Sequence, residues 1–275
     1  MGAGLSSGAM SPRTRVVALV AVAAVALAAV AVGVTLATRS DVTQTRTRRP
    51  PLAQDPTASP ALRHAVREAL AAWPAGTVRR LRILAEQHPH SAFVRLELGI
   101  ALAFSGQDAD AEAAWREAEH VQPDSPSAVR AEDLRHPRTP PGRPPFVPSF
   151  SRPRTPAEAH LARGVAFQSA LRPISAEREF TAAARLAPND PEARVAAAVG
   201  RYDKDAPARA FARLGPLVRA FPHAQTVRFH LGLLLIYVND LSQARRELLL
   251  ARAEGRRTRL GKRAELLLRA GPRKP

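Results

Sequence analysis

Apolar side chains recur every three or four residues from Ala92 to Phe104, the spacing of one helix face, and give way at Ser105 and Gly106. The period resumes from about Ala109 and stops at Pro123, so residues 92–123 predict a helix-turn-helix hairpin. The same grammar returns on a fixed ruler. Helix-breaking prolines fall at Pro89, Pro123, Pro188 and Pro222, separated by 34, 65 and 34 residues, the middle gap being one period plus 31. Ala65, Gly99, Gly164, Ala198 and Gly232 keep the same schedule, separated by 34, 65, 34 and 34. A small residue where two helices cross lets their backbones approach, and a large one opposite fills the remaining gap. The pattern predicts an all-α chain of stacked hairpins.

A different pattern stands ahead of the hairpins. Residues 16–37 are 22 uncharged, mostly apolar residues preceded by Arg13 and Arg15. At about 1.5 Å per helical residue they reach across a hydrocarbon layer of roughly 30 Å. Signal-peptide cores span only about 7 to 15 residues, so the reading is a retained transmembrane helix. This predicts a single-pass cell-membrane protein that contacts the lipid bilayer through residues 16–37. Flanking arginines are more numerous after the span (Arg39, Arg46, Arg48, Arg49), which taken alone holds the large domain in the cytoplasm. A short basic tail, residues 1–15, ahead of a first span is also how exported domains begin, and an extracytoplasmic domain is the preferred reading. Residues 38–57 mix Thr, Arg, Asp and Pro without apolar period and predict a flexible linker.

The residues at the repeat's fixed places resemble the tetratricopeptide repeat family, whose copies carry a small residue at position 8, a large one at 11, Ala at 20, an aromatic at 24, Ala at 27 and Pro at 32. Residues 92–125 match with Gly99, Leu102, Ala111, Trp115, Ala118 and Pro123. Residues 157–190 match with Gly164, Phe167, Ala176, Phe180, Ala183 and Pro188. Residues 225–258 keep Gly232, Leu235, Ala244, Leu248 and Ala251, with Arg256 in place of the proline. Residues 191–224 keep Ala198, Ala210, Leu214, Leu217 and Pro222, with Arg201 in place of the large residue. Residues 58–91 are degenerate: Ala65, Leu81, Leu84 and Pro89 fit, Glu68 and Thr77 do not, and Pro74 ends the first helix.

The resemblance implies a solenoid of helical hairpins wound as a right-handed superhelix. Two repeats would occupy 58–125 and three 157–256, with a C-terminal capping helix and basic tail over 257–275. Between the blocks lies a Pro-rich insertion, 126–156, which opens on a short helix and holds eight prolines over residues 137–156. Such a run favours extended chain. Phe146 and Phe150 read either as anchors that plug the superhelix groove or a partner's pocket, or as parts of a strap over the joint between the two blocks, and the strap is the preferred reading.

Composition changes the picture little. The net charge of +17 comes almost wholly from arginine, with only three lysines (Lys204, Lys262, Lys274), a profile that GC-rich coding produces without a nucleic-acid partner. Nucleic acid is therefore disfavoured. The alternative kept is a module that binds nucleic acid or another polyanion on the Arg-rich C-terminal face, which has eleven basic and four acidic residues from Asp240 onward but no interleaved aromatics for base stacking. Absence of cysteine removes thiolate chemistry and disulfides. No phosphate-cradling loop, metalloprotease motif or nucleophile elbow occurs, and the one close histidine pair, His88 and His90, has no carboxylate pair beside it. Glu112, Glu117 and Glu119 around Arg116 read as a solvated, ion-paired face. The expectation is no enzyme, no cofactor and no metal.

In the tetratricopeptide family the inner surface is lined by positions 2, 5, 9, 12 and 13 of each first helix. Carried over, this implies a partner-binding groove of Phe93, Leu96, Ile100 and Phe104 at one end and Phe229, Leu233, Ile236 and Tyr237 at the other. Glu158, Gln168, Ser169, Glu192, Tyr202 and Asp203 form a more polar middle. The Lys and Asn that clamp acidic chaperone tails are missing at positions 5 and 9. The implied partner is an apolar peptide or amphipathic helix of another protein, and the implied role a membrane-tethered scaffold in envelope assembly, secretion or protein maturation. The sequence sets neither the partner's identity nor an oligomeric state.

Overall fold

The computed structural model describes residues 49–270, which form α-helices joined by short links; no β-strand occurs among the described residues. In chain order the helices are α1 (Pro60–Ala71), α2 (Thr77–Gln87), α3 (Ala92–Phe104), α4 (Asp108–Val121), α5 (Pro126–Arg135) and α6 (Pro156–Ser169). They continue with α7 (Pro173–Leu186), α8 (Pro191–Val199), α9 (Ala208–Ala220), α10 (Gln225–Tyr237), α11 (Leu241–Glu254) and α12 (Arg259–Ala270). Two compact units result. One comprises described residues up to Gly142 together with Ala166–Arg178; the other comprises Arg143–Val165 and Glu179 onward. The unit boundary therefore falls within α6 and α7.

Every first helix except α10, which follows Ala224, starts on a side-chain cap that satisfies an otherwise orphaned backbone N–H. The Ser59, Ser91 and Ser125 hydroxyls accept from Leu62, Val94 and Ala128 N–H at 3.1, 3.3 and 3.2 Å. Thr155 accepts from Glu158 N–H, Asp190 from Glu192 N–H and Thr258 from Gly261 N–H, at 3.1, 2.9 and 3.0 Å. Prolines follow the caps at α1, α5 and α8, where a missing N–H costs nothing.

The first unit packs α1 on α2, α2 on α3, and α3 on both α4 and α5. Gly99 sits under the indole of Trp115, and an added Cβ would fall well inside contact distance of Trp115 Nε1. Helix α5 begins 34 residues after α3 and packs against both α3 and α4, the place of the next hairpin's first helix. No second helix follows it; the Pro-rich run does. Arg135, its side chain 9% exposed, bridges Glu112 at 3.0 Å and Glu119 at 2.9 Å, so these carboxylates help hold α5 on α4 instead of forming a purely solvated face.

In the second unit Gly164 faces the Phe180 ring and Gly232 faces Leu248, whose Cγ would lie 2.8 Å from an added Cβ. Helices α8, α10 and α12 pack in succession, with α9 and α11 as the second helices between them. Helix α12 starts 34 residues after α10, again on the ruler. Within this unit the repeat at 191–224 departs most from the others in helix length. Its first helix is cut to nine residues at Val199, and residues 200–207 form a link that buries Tyr202 and Lys204 before α9 begins.

The expected single-pass membrane location requires correction. No helix among the described residues is long and apolar enough to cross a membrane. The longest have 14 residues, about 21 Å at the usual helical rise against a hydrocarbon thickness of roughly 30 Å. Residues 16–37, on which the expected span and its bilayer contact fell, lie outside the described residues.

The glycine contacts sort substitutions by sign. Gly99→Ala and Gly164→Ala force an aromatic ring off its seat and should each lower unfolding free energy by about 1–3 kcal/mol. Gly215, within α9 with no atom within 4 Å of an added Cβ, should instead accept Ala with a gain of up to about 1 kcal/mol. Urea unfolding of the three variants checks the ranking, and a Gly99→Ala variant as stable as the parent would contradict the crossing geometry.

Candidate peptide-binding faces

The eight side chains expected to line a groove fall on two helices, one in each unit. On α3, Phe93, Leu96 and Ile100 are buried and Phe104 is half-buried; on α10, Phe229, Leu233, Ile236 and Tyr237 are all buried. As the chain stands these residues pack against its own atoms. Phe93 joins Val66, Leu70 and Leu81, while Leu96 and Ile100 join Ala118 and Ala131. Trp73 meets Phe104 edge-on at 6.3 Å, and Tyr202 meets Tyr237 edge-on at 5.9 Å. The repeat-defining Ala111, Ala118, Ala176, Ala183, Ala210, Ala244 and Ala251 are buried, whereas Pro123, Pro188 and Pro222 lie exposed at hairpin ends.

Besides these helix contacts, a non-helical, proline-rich stretch of the chain itself packs beside α3 and another beside α10. In the first unit this is residues 50–55, with Pro50 and Asp55 buried, Leu52 packed on the Phe93 cluster and Ala53 on the Leu96 cluster. Ala53 N–H donates to Glu97 Oε1 at 2.6 Å. The end of the stretch is tied by Asp55, which accepts from the Ser127 hydroxyl and, at 2.8 Å, from Thr57 N–H. Arg63 donates to the Asp55 carbonyl at 3.3 Å.

In the second unit the cover is residues 143–150. Phe146 is buried, stacked on the His230 imidazole with 5.0 Å between ring centroids and 16° between planes, and meets Phe180 edge-on at 5.3 Å. Val147 N–H donates to His230 Nε2 at 2.9 Å. The Tyr237 hydroxyl donates to the Arg143 carbonyl at 3.1 Å. Ser149 donates to Glu192 through its N–H and, at 2.7 Å, its hydroxyl. Arg259 donates to the Phe150 carbonyl at 2.7 Å. Phe146 is thus an anchor in a buried site of its own unit.

The electrostatics follow from this burial. Desolvation lifts the Glu97 carboxyl to about 8, against the lowering pull of the Ala53 N–H. Its Oε2 has no hydrogen-bond partner among the described residues, and a neutral carboxyl tolerates that burial better than a carboxylate. Desolvation also drops the His230 imidazole to about 4, with the Thr226 carbonyl pulling the other way. The Thr226 carbonyl, 2.7 Å from Nδ1, can only accept, and the Val147 N–H can only donate. His230 is therefore neutral, with its proton on Nδ1 and its lone pair on Nε2 aimed at the strap. Burial raises the Glu192 carboxyl too, against the hydrogen bonds from Ser149.

Glu97 and His230 escaped the sequence reading because a polar residue inside an apolar run passes for surface. The available signal was positional. Both stand two residues before the crossing glycine, where the copies at 157–190 and 191–224 have Ala162 and Ala196. Among the described residues no cluster of three or more His, Asp or Glu could hold a metal ion.

No protein-family model matches this chain, and no curated protein matches it. Solved structures with similar arrangements include MamA from Desulfovibrio magneticus RS-1, in a form running from residue 41 to the end, and a MamA RS-1 ArsTM double mutant. Each shares 15% identity and covers 71% of this chain, with 94% and 93% of their own chains and TM-scores of 0.28 and 0.27. Yeast Tom70 shares 15% identity over 84% of this chain and 55% of its own, with a TM-score of 0.35. Superpositions this loose carry no function across, and the hairpin fold stands on the helix packing of this chain.

The raised Glu97 pKa has a signed consequence. Its folded value exceeds its unfolded value, so its favourable contribution is full below about pH 4.5 and is lost as pH rises towards about 8. Replacing it by Gln keeps an oxygen for Ala53 N–H and removes the titration. Glu97→Gln should therefore gain on the parent by a few kcal/mol (roughly) between pH 5 and 8. Urea midpoints of both proteins across this range are the check; parallel pH curves would contradict a buried, neutral Glu97.

Proposed function

We propose that this chain is a non-catalytic protein-binding module that holds an extended segment of a partner against the inner faces of α3 and α10. One observation carries the reading: both faces hold an irregular proline-rich segment by apolar packing plus a hydrogen bond from a backbone N–H to a buried side chain. Those are the ingredients of peptide recognition, with main-chain bonds giving affinity and pockets giving specificity. The proposed groove residues Phe93, Leu96, Ile100, Phe104, Phe229, Leu233, Ile236 and Tyr237 then act as two separate floors, parts of which are freed when the chain's own segment is displaced: the sides of the Phe93 and Leu96 clusters that meet Leu52 and Ala53, and the Tyr237 hydroxyl that holds Arg143. The hairpin blocks 58–125 and 157–256 are the proposed carriers, flanked by 126–156 and 257–275.

An extended ligand suits these faces better than an amphipathic helix, since the segment that already lies at each, 50–55 or 143–150, is non-helical. Binding a polyanion at the Arg-rich end gains no support from the geometry. Arg252 and Arg269 both pair with Glu265, at 2.6 and 2.9 Å, and Arg259 serves the strap.

A photo-crosslinking residue at Phe104, the partly exposed member of the inner set, compared with one at exposed Leu249 on α11, tests the reading. Irradiated in the producing cell, the Phe104 position should give protein adducts well above the Leu249 position. Equal yields, or none from Phe104, would overturn it.

A further inference from the structure

The two covering segments share a sequence that their separate positions do not require. Residues 49–53 read Arg-Pro-Pro-Leu-Ala and residues 143–147 read Arg-Pro-Pro-Phe-Val. Their structural roles also correspond. The first proline of each pair, Pro50 or Pro144, is buried. The apolar residue after the second proline packs into the unit, Leu52 on the Phe93 cluster and Phe146 between His230 and Phe180. The next residue gives its N–H to a buried side chain, Ala53 to Glu97 and Val147 to His230.

The two acceptors are themselves equivalent. Glu97 lies two residues before Gly99 and His230 two before Gly232, the same place on the first helix of two repeats. Both are fully buried. The physical logic is economical in polar groups. Two successive prolines bring no N–H into the apolar site, which leaves two consecutive backbone donors after them, and the second, on Ala53 or Val147, is the one met by the buried acceptor. A peptide without that N–H leaves the acceptor buried and unpaired, which is the costly case.

Connectivity does not explain the match. One segment reaches its acceptor across 44 residues of chain and the other across 83. What the two arrangements hold in common is the chemistry of the segment and the place of the acceptor.

Building on the protein-binding reading above, we propose that Glu97 and His230 are the specificity-determining residues of two like peptide sites. Each reads Pro-Pro-apolar followed by Ala or Val with a free N–H, and the ligand of the His230 site is a partner protein presenting such a segment in place of residues 143–150. The chain's own segments are resident pseudo-ligands. Phe146 fills the apolar pocket that the partner's apolar residue takes, and His230 Nε2 accepts the partner's N–H in place of that of Val147.

The test uses the full chain with residues 143–150 replaced by Gly and Ser at equal length, titrated with the fluorescent octapeptide Arg-Pro-Pro-Phe-Val-Pro-Ser-Phe. Saturable binding is expected. Methylating the peptide's valine nitrogen should weaken it at least about tenfold, and His230→Ala in the protein should abolish the difference between the two peptides. Equal binding of parent and N-methyl peptides would overturn the His230 assignment. Absence of saturable binding by the parent peptide would overturn the inference while leaving protein binding standing wherever the Phe104 crosslinks form.

Should the replaced chain lose its fold, the same peptides are compared by recovery of helical circular dichroism. The parent peptide should restore it and the N-methyl peptide should not; equal restoration, or none, would again overturn the proposal. Sedimentation of the unmodified chain separates the remaining occupant: a monomer is expected, and a dimer dissociated by His230→Ala would put a second copy in the site and overturn the partner assignment.

Discussion

Two helices can cross closely only where one of them presents a small residue or no side chain at all, and three hairpins of this protein depend on a glycine there. Gly99 under Trp115, Gly164 against Phe180 and Gly232 against Leu248 are the same contact repeated along the chain. Each fixes the angle and separation of a first and second helix, and thereby the direction of the first helix's other face. Because that face is apolar on α3 and α10, it has to be covered. The seated segments and the buried acceptors lie where those crossings leave the faces.

The cover is made from chain that brings few polar groups with it. Proline-rich segments leave little backbone N–H to satisfy, and the donors seen at the faces reach side chains: Ala53 to Glu97, Val147 to His230 and Ser149 to Glu192. Burying Glu97 and His230 has an electrostatic cost, visible in a carboxyl raised to about 8 and an imidazole lowered to about 4. Both are thereby held neutral at pH 7, the state in which each can accept an amide proton without an uncompensated charge in the interior.

Much of the hairpin architecture was legible because glycine, proline and cap residues act through local sterics and local hydrogen bonds. The turn at Ser105 and Gly106 and the break before Pro123 follow from the neighbouring residues alone. The shortening of α8 was not legible, since Ala198, Val199 and Gly200 continue the apolar run and the burial of Tyr202 and Lys204 in the following link is a tertiary effect. Nor was the covered state of the inner faces. Periodicity says which side of a helix is apolar, but not what will lie on it, and residues 50–55 read as linker until Ala53 meets Glu97. Helix α5 was visible as a short helix within the insertion, and its place as the next first helix emerges only from its packing on α3 and α4.

The central claim is that segments 50–55 and 143–150 are seated on the inner faces through the amides of Ala53 and Val147. Residue-resolved hydrogen exchange of the purified chain at neutral pH tests this most directly. The account predicts that both amides exchange far more slowly than exposed chain, and that Glu97→Ala frees Ala53 while His230→Ala frees Val147. Exchange of both amides in the parent protein at the rate of an unstructured peptide would contradict it.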